Sequence, residues 1–266
     1  MTVTIAPAGS WGIATCTSPA TELAAVLALP GSWPIGLQPQ CFVRKDQWAA
    51  ATTPPGPPVA GYAAWYDATK ITGSADGAAL AAWPDSSGNG WDLSRTTTPV
   101  TYYSTTSAQL VNGKPTVQFG GGKMRNTGFG GWTQPTFVFL VIKPAATSNQ
   151  TIMTAGGSVE ITMFGGQWEA DAGGSLMQGG TPDTNAHVLT VQFNGTTGSY
   201  IRVDGTQVAS STAAGTATGG GLDLAGPTGT ALAGAYCEVI LYRGVALSAG
   251  NVTAVEGYLK SRWGTP

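Results

Sequence analysis

Glycine or proline interrupts this chain so often that long regular helices have little room to form. There are 39 glycines and 17 prolines among 266 residues, about a fifth of the chain against the ~12% of average usage. The excess punctuates the apolar stretches instead of filling them, which is the pattern of many short strands joined by turns. TFVFLVIK at 136–143 sets Phe137, Phe139 and Val141 on one face and Val138, Leu140 and Ile142 on the other, so both faces need cover. It is expected to be a central strand. HVLTVQFN at 187–194 alternates His187, Leu189, Val191 and Phe193 with Val188, Thr190, Gln192 and Asn194, the pattern of a half-buried strand. YIRVDGTQVA at 200–209 reads as a hairpin, because Asp204-Gly205 supplies the positive φ angles of a tight two-residue turn. YCEVILYR at 236–243 is a further strand, and no fixed period repeats as a propeller or solenoid would require.

One segment reads firmly as a helix. Val252, Val255, Leu259 and Trp263 fall on one face near the C-terminus, with Ser248 as N-cap and Gly264 as the stop. Glu256 and Lys260, four apart, are expected to pair on its exposed side. At the other end, TTPPGPP at 52–58 places four prolines within five residues and stiffens the backbone into a spacer. It divides an N-terminal docking arm, 1–58, from a domain at 59–266. The arm offers a strand at 2–5 and a helix at 22–29 capped by Thr21.

Charge removes several classes of function. With formal net charge −2 and 10% charged residues, the longest cationic run is Arg44-Lys45, too little to neutralise a phosphate backbone. Cys16, Cys41 and Cys237 form no C-x-x-C pair, and a single histidine leaves no Cys/His cluster for a metal. No apolar run approaches 18 residues, so no membrane-inserting helix is expected. The N-terminal stretch lacks the cationic and apolar regions of a signal peptide, which points to synthesis in the cytoplasm.

WYDAT at 65–69, LAAWPDSSGNGWDL at 80–93, NGKPTVQFGG at 112–121, the 200–209 hairpin and ALSAGNVTAVEGYLKSRWG at 246–264 resemble laminin-G-like, concanavalin A-like jelly-roll domains. More narrowly, they resemble the versions carried by minor tail proteins of phages that infect actinobacteria. The resemblance covers about three quarters of the chain. It implies an all-β, two-sheet antiparallel sandwich with one concave face, a face often used for glycans, and in some members bound calcium. It implies no common activity, because the fold hosts lectins, hydrolases and structural domains alike.

Function therefore has to come from side chains. Glu169 and Asp171 have the i,i+2 spacing by which glycosidases of this fold share one strand face, but a third carboxylate is missing where Gly173 and Gly174 stand. They are expected to be exposed strand carboxylates, and the protein not an enzyme. His187 and Cys237 lie among core-like neighbours and read as structural. GGGK at 120–123 lacks the span of a phosphate loop and reads as a strand-end turn. Asp85, Asn89 and Asp92 in PDSSGNGWD form a candidate calcium loop, with Asp67 and Asp223 as distant ligands; the alternative is a turn whose side chains satisfy its own backbone.

Trp65, Trp83 and Trp263 sit in the family strings and read as core. Trp91, Trp132 and Trp168 lie in or beside glycine-rich loops and, with Tyr102 and Tyr103, are the candidates for stacking on sugars. The expectation is a virion protein, a minor tail component present in multiple copies. Its arm would bind other tail proteins, and its sandwich would bind a host cell-envelope glycan without catalysis. A purely structural virion or decoration subunit and a free bacterial carbohydrate-binding module are the alternatives.

Overall fold

The computed structural model describes residues 56–97, 99–226 and 230–266, together with two short strands, β1 (Trp11–Ile13) and β2 (Phe42–Arg44). The chain divides into two units, residues 1–55 and 56–266. In the first, β1 and β2 pair antiparallel; the strand expected at 2–5 and the helix at 22–29 lie outside the described residues.

The second unit is a sandwich of two antiparallel sheets. One sheet has nine strands: β3 (Ala64–Asp67), β4 (Ala78–Ala79), β7 (Val100–Tyr103), β8 (Thr116–Gly120), β10 (Thr136–Pro144), β15 (His187–Phe193), β16 (Ser199–Val203), β17 (Thr206–Ser211) and β19 (Ala233–Arg243). The other has eight: β5 (Ala82–Trp83), β6 (Leu93–Thr97), β9 (Lys123–Asn126), β11 (Gln150–Ala155), β12 (Val159–Phe164), β13 (Gln167–Asp171), β14 (Met177–Gly179) and β18 (Leu222–Leu224). Their hydrogen-bonded order is β17-β16-β15-β10-β19-β8-β7-β4, with β3 also on β19, and β14-β13-β12-β11-β18-β9-β6-β5.

The two-faced strand expected at 136–143 is β10, and it lies between β15 and β19. Val138, Leu140 and Ile142 join the core between the sheets, beside Tyr66, Trp83, Phe119 and Tyr236. Phe137, Phe139 and Val141 face a second cluster formed with Val252, Val255, Leu259 and Trp263 of the C-terminal helix, Ala249–Trp263. The nine-stranded sheet is thus covered on both sides, by the other sheet and by the helix. This corrects the half-buried reading of β15, which is buried at every position except Gln192. The helix supplies the cover that alternation alone could not show.

The helix begins and ends where its caps require. Ser248 Oγ accepts from the Asn251 N–H, and Gly264, at φ 65°, donates its N–H to Lys260 O. The Glu256–Lys260 pair expected on the exposed side does not form. Glu256 is buried and binds Arg202 Nε at 2.9 Å, while Lys260 Nζ donates to Asp204 O at 3.1 Å. Both side chains reach the β16–β17 hairpin, whose turn holds Asp204 at φ 51°. Beneath the helix Glu238 accepts from Trp65 Nε1 and Trp263 Nε1, each at 2.7 Å, and from Tyr258 Oη at 3.0 Å. Arg262 Nη2 donates to Asp67 at 2.7 Å beside it. Cys237 is fully buried, and burial pushes its thiol well above the usual range, so it is an inert core group.

Candidate functional site

With the helix on one sheet, the outer face of the eight-stranded sheet is the face that no described helix covers. Its chemistry follows from strand alternation. Along β12, Val159, Ile161 and Met163 enter the core, and Glu160, Thr162 and Phe164 take the opposite phase. In β13, Trp168 and Ala170 point in and Glu169 and Asp171 out; Asp223 in β18, Arg125 in β9 and Gln178 in β14 are likewise out of phase with the core.

Register then joins these positions into a row. Ser94, Arg125, Asp223, Thr154, Glu160 and Asp171 are successive cross-strand partners over β6, β9, β18, β11, β12 and β13. At ~4.8 Å per strand the row spans roughly 24 Å. A second row runs Thr162, Glu169, Gln178. Arg125 grips Asp223 through Nε and Nη2, both at 2.5 Å, and Lys123 Nζ lies 3.6 Å from the same carboxylate. Gln178 Nε2 and Thr162 Oγ1 donate to the two oxygens of Glu169. Glu160 has no such donor, and burial, with the Asp171 charge beside it, raises its carboxyl above the usual range. The β12–β13 turn, Gly165-Gly166, has positive φ at both residues, and Phe164, last on the outward phase of β12, is 55% exposed. Leu176, just before β14, is 51% exposed. These two are the large apolar side chains left in water among the described residues.

Near the β9–β18 end of the row is a cavity of about 240 Å³. Arg125, Thr127, Asp223 and four glycines, Gly156, Gly157, Gly220 and Gly221, line it.

The aromatic candidates taken from the sequence do not assemble. Trp132, 2% exposed, donates its Nε1 to Gly221 O inside the fold, and Trp168, 1% exposed, packs edge-on against His187. Neither ring can present a face to a sugar, which corrects their expected exposure; Trp132 sits in a loop folded onto the core, and Trp168 lies on the inward phase of β13. Tyr102 is buried and Tyr103 half-buried on β7, in the other sheet. Trp91 is half-buried, edge-on to Phe129, with the Arg243 guanidinium 5.6 Å from its ring centre.

The 84–92 loop is held by its own hydrogen bonds. Asp85 Oδ1 accepts from the Trp65 and Ser87 N–H groups, and Oδ2 from Ser87 Oγ and the Trp91 N–H. Asp92 accepts from the Asp85 N–H, and Asn89 Nδ2 donates to Ala63 O. Among the described residues no group of three His, Cys, Asp or Glu side chains is placed to hold a metal ion. Asp67 accepts from Arg262 under the helix and Asp223 belongs to the polar row, so neither joins this loop.

Glu169 and Asp171 do share a face, but Glu169 is buried under its donors, contrary to the exposed position expected, and Asp171 accepts from the Gly173 N–H at 2.8 Å. His187 is clamped between Asp204, 2.7 Å from Nδ1, and Asp183, 2.9 Å from Nε2. Both carboxylates hold its pKa above the usual value, Asp204 most. Phe164, Glu160 and Arg125 went unnoticed in the sequence. The available signal was Phe164 itself, a large ring on the polar phase of a strand whose other phase is Val159, Ile161 and Met163.

No family model matches the chain, and no curated protein matches it. Solved structures do. Domain 4 of AbnA, a GH43 extracellular arabinanase from Geobacillus stearothermophilus, in complex with arabinotriose, is similar at TM-score 0.52 and 16% identity, covering 73% of this chain and 98% of that one. The binding domain of Paraclostridial Mosquitocidal Protein 1 is similar at TM-score 0.51 and 13% identity, covering 71% and 54%. The botulinum neurotoxin serotype D binding domain is similar at TM-score 0.51 and 11% identity, covering 77% and 55%. The chain therefore spans nearly all of the arabinanase domain and about half of each toxin structure. At these identities the likeness is one of fold.

Proposed function

We propose that this protein is a non-catalytic glycan-binding module of a phage tail, and that it binds sugars on the outer face of the eight-stranded sheet. The observation that carries this reading is Phe164, an exposed ring at the edge of an otherwise polar, ordered face. Apolar sugar faces stack on such rings while hydroxyls bond to neighbouring amides and carboxylates. Gln178, Thr162, Glu160 and Asp171 supply those groups in adjacent strands. The similar folds of a domain solved with arabinotriose and of two toxin binding domains support it.

Hydrolysis is not part of the proposal. A retaining glycosidase needs an acid and a nucleophile about 5–5.5 Å apart, both free to reach the glycosidic bond. Here Glu169 is spent on Gln178 and Thr162, and glycines stand where a third carboxylate is needed. Residues 1–58 anchor the protein to other tail components in this reading, and the tail assignment rests on the sequence strings that resemble minor tail proteins. A shallow face binds weakly in one copy, and an array on one particle binds tightly through effective concentration.

The test is adhesion of beads carrying many copies to actinobacterial cell envelopes. Wild-type beads should adhere where free monomer barely does. Phe164→Ala should abolish adhesion with an unchanged melting midpoint, because the ring is mostly in water. Beads that adhere to no envelope preparation would make the sandwich a structural virion part. Release of reducing ends, lost in Glu160→Gln or Asp171→Asn, would make it an enzyme.

A further inference from the structure

The glycine-walled cavity beside Arg125 and Asp223 tells which part of a glycan this face takes. We propose that it is a subsite for one terminal sugar ring, so that the protein recognises chain ends; this rests on the glycan-binding reading above. At about 240 Å³ it lies below the ~300–1,000 Å³ of sites that enclose drug-sized ligands, so it has room for one ring and not for two. Its lining is a guanidinium, a carboxylate, a hydroxyl and peptide groups, with no large apolar side chain. That suits a ligand covered in hydroxyls.

The charges inside the cavity cancel, because its single cation, Arg125, is gripped bidentately by its single anion, Asp223. Lys123 adds a positive charge 3.6 Å from Asp223, and Glu160, Asp171 and Glu169 follow further along the face.

The walls account for the closed end. A Cβ on Gly156 would come 2.8 Å from Gly220 N, and one on Gly219 would come 2.0 Å from Ala155 O, so the 156–157 and 218–221 loops touch backbone to backbone. Gly220 differs from both. Its φ lies outside the left-handed region, and a Cβ there would meet nothing within 4 Å. Neither backbone conformation nor packing demands glycine at 220, and a side chain there would stand in open space at the wall of the cavity. The row then leads away from this end. Glu160 is two strands from Asp223, roughly 10 Å, and Phe164 is four residues along β12, roughly 13 Å more. A chain whose last ring fills the cavity can lay its next rings across the row toward Phe164.

The experiment compares wild type, Gly220→Val, Gly220→Ala and Phe164→Ala full chains on beads. Each is assayed against an envelope polysaccharide to which the wild type adheres, with and without neutral trisaccharides of arabinose, galactose and glucose as competitors. Gly220→Val should weaken adhesion at least tenfold and Gly220→Ala by less, both with wild-type melting midpoints. At least one of these trisaccharides should compete with wild type and compete more weakly with Gly220→Val. Full adhesion by Gly220→Val, with adhesion lost in Phe164→Ala, would overturn the subsite and leave the glycan face standing. Equal competition by the trisaccharides for wild type and Gly220→Val would also overturn it. Adhesion untouched by Phe164→Ala as well would remove the glycan face itself.

Discussion

Glu238 shows how one buried residue ties the helix to the sheet and sets a pH dependence. It is fully buried, and burial, with the Asp67 charge next to it, pushes its carboxyl up to about 7 against the pull of Arg262 and the two tryptophan N–H groups. A carboxyl raised in this way holds its proton more tightly in the native state than in the unfolded one. Its contribution is therefore complete below the unfolded value near 4.3 and is lost as pH climbs through about 7. His187 acts in the same direction, since its raised pKa gives stability that is complete below about 6.5 and lost at higher pH. Melting midpoints should fall between pH 5 and pH 8, and Glu238→Gln should flatten the fall below pH 7; a midpoint rising over that range would refute this assignment. Trp263→Ala should cost about 3–5 kcal/mol, as deletion of large buried rings does, and denaturant titration measures it. A cost below about 1 kcal/mol would mean that the ring contributes little to the core.

At the scale of elements, the C-terminal helix is a lid on the nine-stranded sheet. Removing residues 248–266 would bare Phe137, Phe139, Val141, Val188 and Ile240 along one face, an apolar patch that soluble proteins rarely expose. The truncated chain should aggregate on expression, whereas Ser248→Ala, which removes only the cap, should stay soluble and lose about 1 kcal/mol by thermal melting. The 84–92 turn is an element of a different kind. Its Asp85 oxygens already accept four donors, so a cation would have to displace hydrogen bonds that hold the turn. Millimolar calcium should leave the melting midpoint unchanged. A rise abolished by Asp85→Asn would reinstate a metal at this turn, since a ligand bound only by the native state stabilises it by mass action.

For the whole molecule, the division after Pro55 predicts that residues 56–266 fold alone. The starting point matters, because Val59 O accepts from Tyr242 Oη and Gly56 lies against the Trp65 ring. A chain of 56–266 should melt in one cooperative transition, and aggregation of this piece alone would make the first unit part of its core. In the proposed function, binding strength at this scale comes from copy number, since a face of single rings and polar rows gains strength from an array.

Local chemistry determined much of this protein without reference to the fold. Alternation marked β10, β15 and β19, the Asp204-Gly205 pair marked a hairpin, and Ser248 with Gly264 bounded the helix, because each signal acts over a few neighbouring residues. Tertiary structure decided which faces were covered and which rings were free. Trp132 and Trp168 both neighbour glycines yet are buried, Trp132 through a loop that brings its Nε1 to Gly221 O and Trp168 on the inward phase of β13. Phe164 stands in an apolar-rich strand yet is exposed, because strand phase and not hydrophobicity sets its direction. The polar row needs six strands in register, three of them far from the others in sequence. A side chain's direction is written in its strand, but its neighbours across the sheet come from pairings that span most of the chain, and only the folded sheet brings them together.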